Sequence, residues 1–251
     1  MSRRELFLEE MGLTPLWRLR HADNVTVVED AGIPDSEPVV LEAGDTASGH
    51  AAPEREARIA RMNWIELKAA VAGCEDCSLA KTRTQTVFGV GDEMADWLFI
   101  GEAPGAEEDA RGEPFVGQAG KLLDNMLASI GLQRGANVYI ANVLKCRPPN
   151  NRNPEPFEVA QCSAHLLRQV DLVQPRLIVA LGRFAAQTLL DTDASIASLR
   201  GRVHRFHELP AIVTYHPAYL LRNPPAKADV WKDLQKVMAE LGLQLPKKKS
   251  S

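Results

Sequence analysis

Nowhere does an apolar run approach the roughly 20 residues that a membrane span needs, so no bilayer-crossing helix is expected. No secretory leader is expected either. Arg3 and Arg4 are followed by Glu9 and Glu10 rather than by an apolar h-region, so the expected compartment is a reducing cytoplasm. Cysteine is scarce, with 4 in 251 residues, and in that compartment a small cysteine set points to metal ligands before disulfides. No internal repeat is visible, which excludes a solenoid or propeller. There is little charge excess either: the net charge of −4 argues weakly against nucleic acid. Its distribution says more. Residues 1–60 carry 6 Lys+Arg and 12 Asp+Glu, residues 61–132 carry the same numbers, and residues 133–251 carry 17 and 9. A basic C-terminal half can still meet phosphates.

What is present is 45% hydrophobic residues, enough for one sizeable core plus an appendage. Residues 1–20 read as a short amphipathic unit with Leu6, Leu8, Met11, Leu13, Leu16, Trp17 and Leu19 as its apolar members. Such a unit is too short to fold alone. It is expected to dock on a partner or to strap onto its own domain. Residues 21–60, rich in Ala, Gly, Asp, Glu, Ser and Pro, read as a flexible acidic linker, although helix resumes near Pro53. The tail at 243–251, with Lys247, Lys248 and Lys249, reads as a basic, disordered end.

Between these ends, buried strands are expected around Leu98, over Val138–Leu144 and over Leu177–Leu181, with two shorter ones at Val203–Phe206 and Ala211–Thr214. Helical segments separate them, including one around Leu122–Ile130, one carrying Val159, Cys162, Leu166, Leu167 and Val170, and a last one from about Ala226 to Leu241. Alternating strands and helices imply a three-layer α/β/α sandwich with a mainly parallel central sheet.

The first strand runs into Gly101-Glu102-Ala103-Pro104-Gly105 and on through Glu107, Glu108 and Asp109 to Pro114-Phe115-Val116-Gly117. Loops at the carboxyl ends of parallel strands are where open α/β sheets bind ligands. Glycine lets the backbone approach a ligand closely, and proline stiffens the turn. Carboxylates at 102 and 108 beside the flat face of Phe115 would suit a planar, polar-edged ligand such as a nucleobase.

Cys74 and Cys77 form a C-x-x-C pair, while Cys146 and Cys162 are split between a loop and a helix. A zinc site usually takes two close pairs. The split second pair fits a larger cubane cluster better, with zinc and plain buried cysteine as the alternatives.

Taken together, GEAPG at 101–105, EED at 107–109, PFVGQAGKLLD at 114–124, NVLKCRPPNNR at 142–152 and HPAYLLR at 216–222 resemble the motifs of the family-4 uracil-DNA glycosylases. The resemblance covers about residues 61–242. It implies a uracil-DNA glycosylase-like domain acting on uracil-containing DNA. It also implies a 4Fe-4S cluster on Cys74, Cys77, Cys146 and Cys162. Phe115 would stack on a uracil flipped out of the helix. Asn142 would read the uracil edge, its amide offering both a donor and an acceptor. His216 would donate to O2 of the departing base. Gly101, Glu102 and Ala103 would line the pocket, and Glu108 would support it through Asn151. Leu221 and Arg222 would wedge into the duplex and touch phosphate. With Ala103 where a related branch carries an aspartate, the pattern requires no single strong base.

A second resemblance covers residues 2–20 only. Ser2-Arg3-Arg4, Met11-Gly12-Leu13 and Trp17-Arg18-Leu19-Arg20 are similar to the N-terminal peptide of the psi subunit of the bacterial replicase, which docks on the clamp loader. It implies tethering to clamp-loader subunits of an otherwise monomeric enzyme. The competing expectation is a non-catalytic replisome adaptor that keeps the glycosylase fold.

Overall fold

The computed structural model describes residues 51–240. The 1–20 peptide, most of the 21–60 linker and the 243–251 tail lie outside the described residues. The last part of the stretch read as linker is helix: α1 spans Ala51–Ile59. Its Ile59 is buried with Leu67 and Ala164 in a small satellite core, which is why the chain is already ordered here. Helix α2, Trp64–Ala72, starts at a capping box in which Asn63 and Glu66 exchange side-chain and backbone hydrogen bonds.

The sheet has six strands. In chain order they are β1 (Val90–Gly91), β2 (Trp97–Gly101), β3 (Val138–Asn142), β4 (Leu177–Leu181), β5 (Val203–Phe206) and β6 (Leu209–Thr214). Their spatial order is β1-β3-β2-β4-β6-β5. The β3–β2, β2–β4 and β4–β6 pairs are parallel, and only the two edge pairs are antiparallel. Every residue of β2, β3 and β4 is buried, as expected of parallel strands covered on both faces. One face packs against α4 (Gln118–Ser129) and α9 (Lys227–Glu240), through Leu123, Met126, Leu127, Val230 and Leu234. The other packs against α5 (Pro156–Val173) and α6 (Arg183–Leu190), through Leu166, Val170, Ala185 and Leu189. The expected α/β/α sandwich is thus observed, with β3 ending at Asn142 rather than Leu144 and with β1 as an additional edge strand.

Helix α5 carries its own start and stop signals. Pro156 occupies the first turn, Glu155 and Glu158 cap it, and Gln174 ends it in the left-handed conformation. Its expected apolar face is only partly buried, because Leu167 stays 38% exposed on the wall of a groove. Short helices α3 (Ala106–Arg111), α7 (Ile196–Leu199) and α8 (Pro217–Arg222) complete the fold. No described helix is long and apolar enough to cross a membrane.

The order of the central strands fixes where a ligand can sit. From β2 the chain steps to β3 on one side, then returns to β4 on the other. That reversal opens a crevice at the carboxyl ends of β2 and β3, where Gly101 and Asn142 stand opposite each other in register.

Candidate active site

A cavity of about 420 Å³ occupies this crevice, a volume suited to a small ligand. Its lining includes Glu102, Ala103, Glu108, Phe115, Asn142, Asn151, His216 and Arg222. Residues more than 100 positions apart in sequence therefore meet at one site. A larger groove of about 1170 Å³ lies between α1, α5 and the β5–β6 turn, and none of the candidate residues lines it.

Asn142 forms the floor. It is 2% exposed, and its side-chain Oδ1 has no hydrogen-bond partner. A buried acceptor left unpaired costs about 1–3 kcal/mol, which a ligand N–H would recover. Phe115 is 6% exposed and belongs to the core cluster of the α4 face while also lining the cavity. Its backbone is left-handed, with φ of 55°, an uncommon conformation for a bulky residue. Three contacts hold it there. Arg134 donates from Nη1 to the Pro114 carbonyl (2.9 Å) and from Nη2 to the Phe115 carbonyl (2.8 Å), while its Nε pairs with Asp124 (2.9 Å).

Two glycines make the room. A Cβ on Gly101 would meet Asn142 Oδ1 at 2.4 Å and Phe115 Cζ at 2.6 Å. A Cβ on Gly120 would fall 1.7 Å from the Phe115 carbonyl oxygen.

Glu108 organises the loop. Its Oε1 accepts from the Val116 and Gly117 amides (3.0 and 3.2 Å), and its Oε2 accepts from the Gly105 amide (3.1 Å). The expected link from Glu108 through Asn151 is therefore corrected: the carboxylate is occupied by backbone donors. Asn151 Oδ1 instead accepts from Arg147 Nε at 2.7 Å. Asp109, buried on the same helix α3, accepts from the Thr84 amide with both oxygens.

His216 caps α8. Its Nδ1 accepts from the Ala218 amide at 3.1 Å, so the neutral ring carries its proton on Nε2. Burial, with the Arg222 charge adding to it against Glu108, pushes the imidazole down to about 4, so the ring is neutral at pH 7. Its centroid lies 5.4 Å from that of Phe115, with the rings tilted by 31°. Glu102 is half-buried; burial raises its carboxyl above the usual range, and the Arg183 charge opposes that shift. Leu221 is 45% exposed just outside the cavity, beside the exposed Arg222 on its rim.

Three of the four cysteines, Cys77, Cys146 and Cys162, share the core on the α5 face of the sheet. Cys146 and Cys162 are buried in the core cluster of the α5 face, and Cys77 packs against it. Cys77 lies close enough to Cys146 and Cys162 to act electrostatically on both. Burial pushes Cys162 up to about 12 and Cys74 up to about 11. Cys74 Sγ donates to Asp76 at 3.1 Å, and Arg83 Nη1 donates to Cys146 Sγ at 3.1 Å. Among the described residues, no three His, Cys, Asp or Glu side chains are grouped to hold a single metal ion. The donor set is nonetheless four soft thiols with two cations, Arg83 and Lys145, beside them. That chemistry fits an anionic iron–sulfur cluster.

Arg134, Gln169 and Arg183 were not singled out from the sequence. Arginine and glutamine outside the motif runs carry no local signal of their own. Lys145 stood inside a quoted motif without a role.

The fold and the crevice define a member of the uracil-DNA glycosylase superfamily, whose sequence pattern matches residues 88–235. The chain is 47% identical over 184 residues to a type-4 uracil-DNA glycosylase of Archaeoglobus fulgidus, a match covering 70% of this chain and 92% of that protein. It is 44% identical over 186 residues to the type-4 enzyme of Sulfurisphaera tokodaii, covering 70% and 84%. For the type-4 enzyme of Thermotoga maritima the figures are 46% over 155 residues, covering 61% and 80%. Within the superfamily, this chain belongs to the type-4 uracil-DNA glycosylases.

Proposed function

We propose that this enzyme excises uracil from DNA by hydrolysing the N-glycosidic bond, starting base-excision repair, with the crevice at Asn142, Phe115 and His216 as its active site. The observation that carries the assignment is the unpaired, buried Oδ1 of Asn142. It supplies an acceptor for uracil N3–H while the amide nitrogen serves O4.

Uracil stacked inside a duplex is out of reach of this crevice, so it must be extruded, at a cost of a few kcal/mol. Leu221 fills the gap left in the stack, and Arg222 meets phosphate. Phe115 stacks on the extruded ring. As the C1′–N1 bond breaks, its electron pair passes to the uracil ring and charge gathers on O2. His216 Nε2–H donates to that oxygen, and because the imidazole is neutral it stabilises the anion without giving up its proton. Glu102 and Ala103 form the remaining wall, with Gly101 behind it leaving room for Asn142 and Phe115; water adds there to C1′ of the oxocarbenium-like sugar, and the proton it loses neutralises the released uracil anion. Glu108 and Asn151 support the site through separate contacts, with the Gly105–Gly117 loop and with Arg147.

Cys74, Cys77, Cys146 and Cys162 would hold a 4Fe-4S cluster, which would cross-link the β3 loop to α5 and to the chain at Cys74–Cys77. Residues 1–20 and the linker after them form a tether to clamp-loader subunits of the replicase, a reading supported by the sequence resemblance alone. We take the enzyme to be cytoplasmic and monomeric apart from such partners.

The test is uracil release from a uracil-containing oligonucleotide, read by abasic-site cleavage, with His216→Ala and Asn142→Ala beside wild type. Release by wild type and at least 100-fold loss in both variants is expected, and no release from iron-loaded, folded protein would refute the activity. Iron and sulfide content of the purified protein tests the cluster. Clamp-loader binding unchanged by removal of residues 1–20 would refute the tether.

A further inference from the structure

Lys145 is 1% exposed. Its Nζ donates at 2.7 Å to the main-chain carbonyl of Asn142 and at 2.6 Å to Oε1 of Gln169. Gln169 is itself fully buried, and its Nε2 donates to the Phe88 carbonyl at 2.9 Å, so its amide is locked with the oxygen toward the lysine. At the other end of the same residue, the Lys145 carbonyl accepts from the Val87 amide at 2.7 Å. Cys162 and Cys146 lie near enough to act electrostatically on the ammonium. Burying an ammonium is expensive unless it is paired and hydrogen-bonded. This one is surrounded by a carbonyl, an amide oxygen and two cysteines.

The location gives the expense a purpose. The β1–β3 ladder reaches only Tyr139 and Ile140, two residues short of Asn142. At this end of β3 the ammonium supplies a donor where that ladder has stopped.

We propose that Lys145 is a positioning residue for base recognition: it pins the end of β3 through the Asn142 carbonyl, with Gln169 holding its other side, so that the Asn142 amide faces the uracil edge. The proposal rests on Asn142 as the base-reading residue. The lysine touches neither uracil nor sugar. It acts by holding the Asn142 main chain still, and a misplacement of about 1 Å at such a point costs on the order of 100-fold in rate.

The experiment is a double-mutant cycle on the full-length, iron-loaded protein with Lys145→Met, Asn142→Ala and the pair. Three quantities are measured: kcat/KM for uracil release, inhibition by free uracil, and visible absorbance per protein. Lys145→Met alone is expected to lower kcat/KM by about 10–100-fold and to weaken uracil inhibition about tenfold, with absorbance near wild type. In the Asn142→Ala background the same change is expected to add less than twofold, because the residue it acts through is already gone. Equal loss in both backgrounds, or wild-type behaviour of Lys145→Met, overturns the proposal. If Asn142→Ala itself leaves release and uracil inhibition unchanged, the assignment of Asn142 fails and the lysine's role with it. Should Lys145→Met not fold, Lys145→Gln, which keeps a donor without the charge, carries the same cycle.

Discussion

Adding a single methyl group at Gly101 tests the geometry of the pocket. The Cβ of Gly101→Ala would sit 2.4 Å from Asn142 Oδ1 and 2.6 Å from Phe115 Cζ. Ordinary contact begins at 3.4 Å, so each group must retreat by about 1 Å. Neither can do so freely. Asn142 is at a buried strand end, and Phe115 is held by Arg134. Overpacking of this kind costs roughly 1–3 kcal/mol of stability. A shift of about 1 Å in both of the groups proposed to contact the base corresponds to about 100-fold in kcat/KM, or ~2.7 kcal/mol of transition-state binding. The assay is uracil release from a single-uracil oligonucleotide, run with thermal unfolding of the same preparation. Gly201→Ala is the control. Gly201 has φ of 74° and nothing within 4 Å of its added Cβ, so alanine there costs ~1 kcal/mol of backbone strain and leaves kcat/KM unchanged. Wild-type kcat/KM in Gly101→Ala would refute the placement of Asn142 and Phe115 against the base.

Further expectations concern the supports of the site. His216 titrates at about 4 in the folded chain against an ordinary 6.5. Its neutral form is therefore favoured by folding, a contribution present above pH 6.5 and lost as pH falls toward 4. Wild type should lose up to ~3 kcal/mol more than His216→Asn across that window in urea titrations, and equal losses would count against a neutral imidazole at this half-buried position. Arg134→Met removes two carbonyl contacts and the Asp124 pair. It should raise KM at least tenfold with a smaller change in kcat, measured by steady-state kinetics. Arg200→Met strips the partner from buried Asp233, which Thr214 also contacts. It should cost about 3–5 kcal/mol in denaturant unfolding with kcat/KM unchanged.

The strands were legible because β2, β3 and β4 are uninterrupted apolar runs buried on both faces. The site was legible because its residues sit in motif runs at the ends of those strands. What was not legible follows from distance in the chain. Arg134 lies 19 residues from the carbonyl it holds, and Gln169 lies 24 from Lys145 and 81 from Phe88. Nothing local in Arg134 or Gln169 announces a partner that only the packed fold supplies. Glu108 shows the converse. Its motif marked it as important, but the choice among backbone amides, Asn151 and solvent was decided by the loop's path. Phe115 was expected on a loop rather than in the core; it is on the loop and also in the core, because its left-handed backbone turns the ring inward.

The carboxylate of Glu108, on α3, receives amides from Gly105 and from Val116–Gly117, residues at opposite ends of the segment that joins β2 to α4. That segment is thereby closed into a ring by three charge-assisted bonds. A ring of this kind resists opening and closing around a guest, so on the proposed reading the slot for the base is complete before DNA arrives. The work of recognition then falls on the nucleic acid, which must deform to present its base, rather than on the protein. Turnover should accordingly track how easily each uracil leaves its helix: fastest in single strands, slower opposite guanine, slowest when paired with adenine.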